Sequence, residues 1–70
     1  MTDTIEITVN GETRAVVPGT TVGRLLEQLE MPRERVAVEL NRRVVRKAEW
    51  AAAELAAGDR LEIVHFVGGG

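Results

Sequence analysis

The sequence predicts a small α+β domain in which a mixed sheet of four to five strands packs on one main helix, with one short helix beside it. Three observations support this fold class. Apolar and polar residues alternate near both ends of the chain, as in half-buried strands. A single apolar stripe at helical spacing lies between them. Seventy residues without cysteine have room for one core, so the helix must bury its stripe against the sheet in two layers.

The first element is a β-hairpin. Residues 4–9 alternate strictly and place three apolar side chains on one face, those of Ile5, Ile7 and Val9. Asn10-Gly11 follows, and both residues tolerate the positive φ angles of a two-residue hairpin turn. The return strand is predicted over residues 12–17.

Two registers of this hairpin are compatible with the pattern. A tight two-residue turn pairs Val9 with Glu12 and points Val16 into the core. A bulged turn points Ala15 and Val17 inward instead. We favour the bulged turn, because it keeps the charged residues of the return strand out of the core.

The main helix follows a break at residues 18–20. Thr21 is a suitable N-cap residue because its hydroxyl can accept a hydrogen bond from the first turn. Pro32 is expected to end the helix, because the residue before a proline disfavours the α region. The helix carries four apolar residues at positions i, i+3, i+4 and i+7, namely Val22, Leu25, Leu26 and Leu29.

The second half of the chain supplies the rest of the sheet. We predict a strand over 36–40 with Val36, Val38 and Leu40 facing the core, and a turn at 41–43. A short strand at 44–45, a helical turn or short helix over 48–57, and a last strand over 61–67 follow. The last strand is expected to lie centrally beside the first, after a right-handed crossover. This order is that of the β-grasp, the ubiquitin-like architecture.

Composition excludes several classes of function. Nine basic against 11 acidic residues, with two aromatic side chains, argue against nucleic-acid binding. Without Ser or Cys the usual nucleophilic triads cannot form, and the single His65 cannot build a zinc site. We therefore expect a carrier or binding module with no bound metal or cofactor, not an enzyme acting alone. The absence of a signal-peptide pattern and of a long apolar run predicts a cytoplasmic protein without a membrane span.

The glycine run that ends the sequence is the informative feature. Gly68, Gly69 and Gly70 follow the last strand without a linker, which predicts a domain over 1–67 and a flexible tail over 68–70. Residues without Cβ atoms can enter a slot too narrow for any others. The Gly70 carboxylate is ionised at neutral pH and is a poor electrophile, so its reaction requires activation. The chain has no phosphate-binding glycine motif, so a separate enzyme must use the ATP.

The chain resembles the ThiS-type sulfur carrier proteins of thiamin (thiazole) biosynthesis over essentially its whole length. The hairpin, the start of the helix and the last strand all contribute to this resemblance. The matching segments are Val9-Asn10-Gly11-Glu12, Gly19-Thr20-Thr21-Val22, Leu25-Leu26, Val36-Ala37-Val38-Glu39-Leu40-Asn41, Glu49-Trp50, Gly58-Asp59 and Leu61-Glu62-Ile63-Val64-His65-Phe66-Val67-Gly68-Gly69-Gly70.

The resemblance implies a sequence of reactions at Gly70. An E1-like, ThiF-type enzyme would adenylate its carboxylate with ATP, and the product would become a thiocarboxylate. A cysteine desulfurase or another persulfide donor would supply the sulfur, and a ThiG-type thiazole synthase would receive it. Two alternatives remain: the small subunit of molybdopterin synthase, which shares the fold and the glycine end, and a ubiquitin-like interaction module whose glycines are incidental.

The last strand also suggests a docking surface. If Leu61 and Ile63 face the helix, Val64 and Phe66 lie on the opposite face and, with Val67, form an apolar surface for a partner. The alternative is that the short strand near residue 44 covers them.

Three further features have mainly structural interpretations. His65 is expected to be a structural residue and not a proton shuttle, and Trp50 is expected to fill the core or cover an edge of the sheet. A basic cluster is expected to be a solvated loop, or alternatively to dock on an acidic patch of the adenylating enzyme. It consists of Arg42, Arg43, Arg46 and Lys47.

Overall fold

A five-stranded mixed sheet and one α-helix make up residues 3–66, the part of the chain that this computed structural model describes. The elements are β1 (Ile5–Val9), β2 (Glu12–Val16), α1 (Val22–Gln28), β3 (Val36–Leu40), β4 (Arg43–Val45) and β5 (Arg60–His65), with 3₁₀ turns at Arg33–Arg35 and Lys47–Glu49. The strand order is β2-β1-β5-β3-β4. Strand β5 is central and runs parallel to β1, while the other neighbours are antiparallel. The predicted β-grasp fold is confirmed.

The core lies between α1 and one face of the sheet. The apolar stripe of the helix is buried as predicted, except that Leu29 is only partly buried. On the sheet side, alternate residues of β1, β3 and β5 face the helix, which confirms the predicted orientation of all three strands. The buried apolar residues are Ile7, Val9, Val16, Val22, Leu25, Leu26, Val36, Val38, Trp50, Leu55, Leu61 and Ile63.

The register of the first hairpin is the tight one, so the predicted bulged turn is wrong. Val9 pairs with Glu12 across the turn. Val16 is 4% exposed, whereas Val17 is 51% exposed. Asn10 and Gly11 have φ angles of 50° and 85°, the left-handed pair that a type I′ turn requires.

The charged residues that argued against this register remain in contact with water. Glu12 and Arg14 lie on the same side of β2 as the buried Val16, yet both are exposed. Strand β2 is at the edge of the sheet, where a side chain on the core side can still reach solvent. The tight register therefore places no charged residue in the core, and the argument against it does not hold.

Helix α1 begins as predicted but ends before Pro32. The Thr21 hydroxyl accepts a hydrogen bond from the Arg24 N–H at 3.2 Å, which is the predicted N-cap. The last helical residue is Gln28, and Glu30 adopts the left-handed conformation with a φ of 58°. The chain therefore leaves the helix through a C-cap and not through the proline.

This C-cap is a Schellman motif. The Met31 N–H donates to the Leu26 carbonyl at 3.0 Å, and the Glu30 N–H donates to the Glu27 carbonyl at 3.0 Å. Glycine is the usual residue at the position of Glu30, because a Cβ atom is strained in the left-handed region.

Glycine at position 30 is expected to stabilise the fold. Glu30→Gly should raise the free energy of unfolding by about 1 kcal/mol, because the left-handed strain is removed. Urea denaturation should show a higher midpoint at an unchanged m value. The matched control is Gln28→Gly, where φ is helical, and it should lower the free energy by about 0.5–1 kcal/mol. A lower midpoint for Glu30→Gly would contradict the assigned conformation.

Of the helical turn or short helix predicted over 48–57, the structure has only a helical turn, at the start of the segment. Only the 3₁₀ turn Lys47–Glu49 and the following Trp50 are helical. The carbonyls of Trp50 and Ala53 instead accept hydrogen bonds from the Gly23 and Val22 N–H groups at 3.0 and 2.9 Å. This segment therefore satisfies the free N–H groups at the start of α1 and does not continue as a helix of its own.

Trp50 is a core residue, as one of the two predicted interpretations had it. Its side chain is 2% exposed, and its indole Nε1–H donates to the Val45 carbonyl at 2.9 Å. The Arg33 guanidinium lies 5.8 Å from the ring centroid, within the range of a cation–π contact. One side chain therefore joins β4, the core and the loop after α1.

Candidate functional site

The end of β5 carries the apolar residues that the sequence suggested as a docking surface. Val64 and Phe66 are each 55% exposed, whereas Leu61 and Ile63 are buried toward the helix. Val64 pairs with Ala37 of β3 on the sheet face turned away from α1. The alternative, that the β4 region covers Val64 and Phe66, is therefore wrong. Val67 and the glycines at 68–70 lie outside the described residues.

A third exposed apolar side chain, missed in the sequence, lies on this same face. Val44 of β4 is 70% exposed. It pairs with Glu39 of β3, which in turn pairs with Glu62 of β5, so the three form a row across the sheet. The available signal was the strand period of two: with Val45 turned toward the core, Val44 must point away from it.

We call this surface the open face and define it by Val44, Glu39, Glu62 and Val64. Its two carboxylates lie directly opposite each other on neighbouring strands. Within the described part of the chain, the ion pairs are those of Glu27 with Arg24 and Arg33, each at 3.8 Å, and neither involves the open face. The open face therefore combines two exposed apolar side chains with a pair of neighbouring carboxylates.

His65 lies at the end of β5 with its side chain exposed. Among residues 3–66 it forms no ion pair with a carboxylate. Over the same residues, no group of three or more His, Asp or Glu side chains is arranged to hold a metal ion, and no helix is long and apolar enough to cross a bilayer.

The basic cluster is divided between the two ends of β4. All four residues are exposed: Arg42 and Arg43 lie at the β3–β4 turn, and Arg46 and Lys47 follow β4. The turn is next to the start of β5, where the Asn41 N–H donates to the Arg60 carbonyl at 2.7 Å. Arg42 and Arg43 are therefore separated from the end of β5 by the length of that strand, about 20 Å for six residues, whereas Arg46 and Lys47 follow the other end of β4. The docking role of the cluster stays a prediction.

The glycine end of the chain is included in a match to known proteins. Residues 7–70 match the sequence profile of the ThiS family. The chain belongs to the ThiS family. The resemblance seen in the sequence is confirmed, and the match extends from β1 to the last glycine.

Individual relatives agree with this assignment. A thiazole synthase of Magnetococcus marinus is 42% identical over 66 residues, which are 94% of this chain and 20% of that protein. The ThiS-family chain thus spans about a fifth of the length of this relative. The sulfur carrier protein ThiS of Bacillus subtilis is 40% identical over 50 residues, covering 71% of this chain and 76% of that protein.

A solved structure agrees with the fold. The crystal structure of a thiamine biosynthesis protein (ThiS) from Geobacter metallireducens superposes with a TM-score of 0.80 at 35% identity, covering 94% of this chain and 100% of that one. The arrangement of α1 and the five strands is therefore that of an experimentally determined ThiS protein.

Proposed function

We propose that this chain is a sulfur carrier protein that supplies sulfur for thiazole formation in thiamin biosynthesis. The observation that carries the proposal is the ThiS-family match, which extends through the glycines to Gly70. The name of the Bacillus subtilis relative, a sulfur carrier protein, supports it. The chain acts as a protein cosubstrate, and its reactive group is the main-chain carboxylate of Gly70.

The proposed chemistry takes place on that carboxylate in three steps. A carboxylate oxygen of Gly70 attacks the α-phosphorus of ATP on an adenylating enzyme, and pyrophosphate leaves. A persulfide sulfur then attacks the acyl carbon and AMP leaves, which gives an acyl disulfide. A thiol of the donor or of the enzyme cleaves the S–S bond, becomes the new disulfide partner and leaves the thiocarboxylate on Gly70. Adenylation is needed because a free carboxylate is ionised and unreactive at neutral pH.

The proposed partners are a ThiF-type, E1-like adenylating enzyme, a thiazole synthase, and a sulfur donor such as a cysteine desulfurase. The Magnetococcus marinus relative supports the thiazole synthase, because a protein with that name contains a segment similar to 94% of this chain. It also favours the thiazole interpretation over the small subunit of molybdopterin synthase. ATP would be bound by the adenylating enzyme and not by this chain.

Intact-mass spectrometry tests the proposal. The purified chain, incubated with a ThiF-type enzyme, ATP and a cysteine desulfurase with cysteine, should gain the mass difference between one sulfur and one oxygen atom. Omitting ATP is the control and should leave the mass unchanged. An unchanged mass in the complete mixture, with a known ThiS protein loaded in parallel, would overturn the sulfur-carrier proposal and favour an interaction module.

Val64, Phe66 and Val67 are proposed as the apolar part of the surface that docks on the adenylating enzyme. The exposure of Val64 and Phe66 beside the exit of the tail supports this, because a monomeric domain gains nothing in its own fold from such residues. A partner that binds these apolar side chains would hold the end of β5 in place while the glycines extend into the partner's active site.

Phe66→Ala is expected to weaken docking without harming the fold. The KM of the adenylating enzyme for the carrier should rise about tenfold, the range for losing an aromatic contact at an interface. The free energy of unfolding should stay within about 0.5 kcal/mol, because the side chain is half exposed. The matched control is Val17→Ala, which removes an exposed apolar side chain outside this surface. Equal KM values for the two variants would exclude Phe66 from the interface.

A further inference from the structure

Asn10 directly follows Val9, the last residue of β1 that pairs with β5. The parallel pairing of these two strands is limited to Thr8 with Arg60 and Val9 with Leu61. After Val9 the chain turns back toward β2, whereas β5 continues four residues further, to His65. The end of β5, from which the tail departs, therefore extends past the hairpin turn.

The side chain of Asn10 makes the hydrogen bonds to β5 that a longer β1 would make. Its backbone N–H donates to the Leu61 carbonyl at 2.9 Å, continuing the ladder of β1. Its Oδ1 accepts from the Ile63 N–H at 2.8 Å, and its Nδ2 donates to the Ile63 carbonyl at 3.3 Å. The carboxamide thus bonds both backbone groups of a residue 53 positions away, as a neighbouring strand would.

This contact is the last one on its side of β5 within residues 3–66. Leu61 and Ile63 direct their backbone groups toward β1, so His65 must do the same by the alternation of the strand. No described backbone or side-chain group bonds to His65 there. On the other side the Phe66 N–H still donates to the Arg35 carbonyl at 2.7 Å. Beyond Ile63, β5 is therefore held along one edge.

We infer that Asn10 is a positioning residue that sets the direction in which the reactive tail leaves the domain. The inference rests on the proposed function. With β5 held on both edges as far as Ile63, the segment from Val64 starts from a fixed position and orientation. Without the carboxamide, the last hydrogen bond on the β1 side of β5 would be at Leu61 and not at Ile63. The end of β5 would then be held by β3 alone over two more residues, and its direction would vary more. A smaller fraction of molecules would then present the tail in the direction that a partner's slot accepts.

The second hairpin supplies a matched control. Asn41 occupies the same turn position and has a φ of 52°. Its Oδ1 accepts from the Arg60 N–H at 3.0 Å, and its Nδ2 donates to Asp59 Oδ1 at 3.0 Å. It therefore also fixes β5, but at the start of the strand, far from the tail. Loss of either carboxamide removes two hydrogen bonds, part-buried for Asn10 and exposed for Asn41, and only those of Asn10 are near the end of β5.

The experiment compares Asn10→Gly with Asn41→Gly. Glycine accepts the left-handed φ at both positions, so each turn is retained while the side-chain bonds are lost. Backbone ¹⁵N relaxation should show increased motion of Val64, His65 and Phe66 in Asn10→Gly only. The KM for adenylation should rise about five- to tenfold in Asn10→Gly with kcat unchanged at saturation, since the competent fraction falls. Asn41→Gly should keep the wild-type KM.

Asn10→Asp provides the rescue. It keeps the acceptor for the Ile63 N–H and replaces the longer bond by a repulsive contact between an oxygen and the Ile63 carbonyl, so its KM should lie between those of wild type and Asn10→Gly. Equal KM values for Asn10→Gly and Asn41→Gly at matched melting temperatures would overturn the inference, as would unchanged relaxation of Val64 to Phe66. If wild type is not adenylated at all, the proposed function fails, and the relaxation measurement still decides whether Asn10 restrains the end of β5.

Discussion

Trp50→Ala is expected to lower the free energy of unfolding by about 3–5 kcal/mol, the range for removing a buried aromatic side chain. The indole is 2% exposed and is among the largest of the fully buried side chains. Its loss leaves a cavity at the centre of the core and removes the donor to the Val45 carbonyl. A domain of 70 residues has a total stability of roughly 4–10 kcal/mol. The variant should therefore be partly or largely unfolded at 37 °C.

Far-UV circular dichroism in urea measures this effect, because the only tryptophan is the residue replaced. Trp50→Phe separates packing from hydrogen bonding: it retains most of the ring volume and leaves the Val45 carbonyl without its donor. Trp50→Phe should lower the free energy of unfolding by about 1–3 kcal/mol. Val44→Ala is the control, since Val44 is 70% exposed, and it should change the free energy by less than about 0.5 kcal/mol. A loss below about 1 kcal/mol for Trp50→Ala would contradict the central packing of the indole.

Deleting Gly70 is expected to abolish sulfur loading. Under the proposed function the reacting carboxylate must reach the α-phosphorus of ATP inside the adenylating enzyme, and one residue fewer shortens the tail by about 3.5 Å. A displacement of even 1 Å from the reacting geometry costs about a hundredfold in rate. The intact mass should therefore show no sulfur incorporation over the time in which wild type is fully converted.

The fold itself should tolerate this deletion. The strands, the helix and the core described above all lie within residues 3–66, so the melting temperature should be that of wild type. The matched control is Gly70→Ala, which keeps the length and the carboxylate and adds one Cβ; it tests the width of the partner's slot separately from the reach of the tail. Sulfur loading of the shortened chain at the wild-type rate would show that Gly70 is not the acceptor.

The parts predicted correctly depend on short stretches of sequence. The apolar stripe from Val22 to Leu26, the Thr21 cap and the alternation in β1 and β5 are each decided within a few residues. The positive-φ turn at Asn10-Gly11 was also predictable, because both residue types favour it. The second such turn, at Asn41-Arg42, has the same geometry without a glycine, and was predicted only as a turn without a type.

The parts predicted wrongly depend on distant neighbours. The register of the first hairpin was misjudged because only the sheet order places β2 at an edge, where Glu12 and Arg14 can stay exposed. The extent of the helical segment over 48–57 was misjudged because the carbonyls of Trp50 and Ala53 bond to the start of α1, some 30 residues earlier. The role of Asn10 toward Ile63 was missed for the same reason.

The sequence by itself determined the class of the domain, one helix on one sheet, and the chemical character of its glycine end. Periodicity and turn residues express local preferences of the backbone, and these are readable without the fold. Only the tertiary structure decided which residues lie on the open face and near the end of β5: Val64 and Phe66 exposed, Val44 on the same face, and Asn10 bonded to Ile63. These relations join residues far apart in the chain, and they arise from strand order and pairing, which local preferences do not specify.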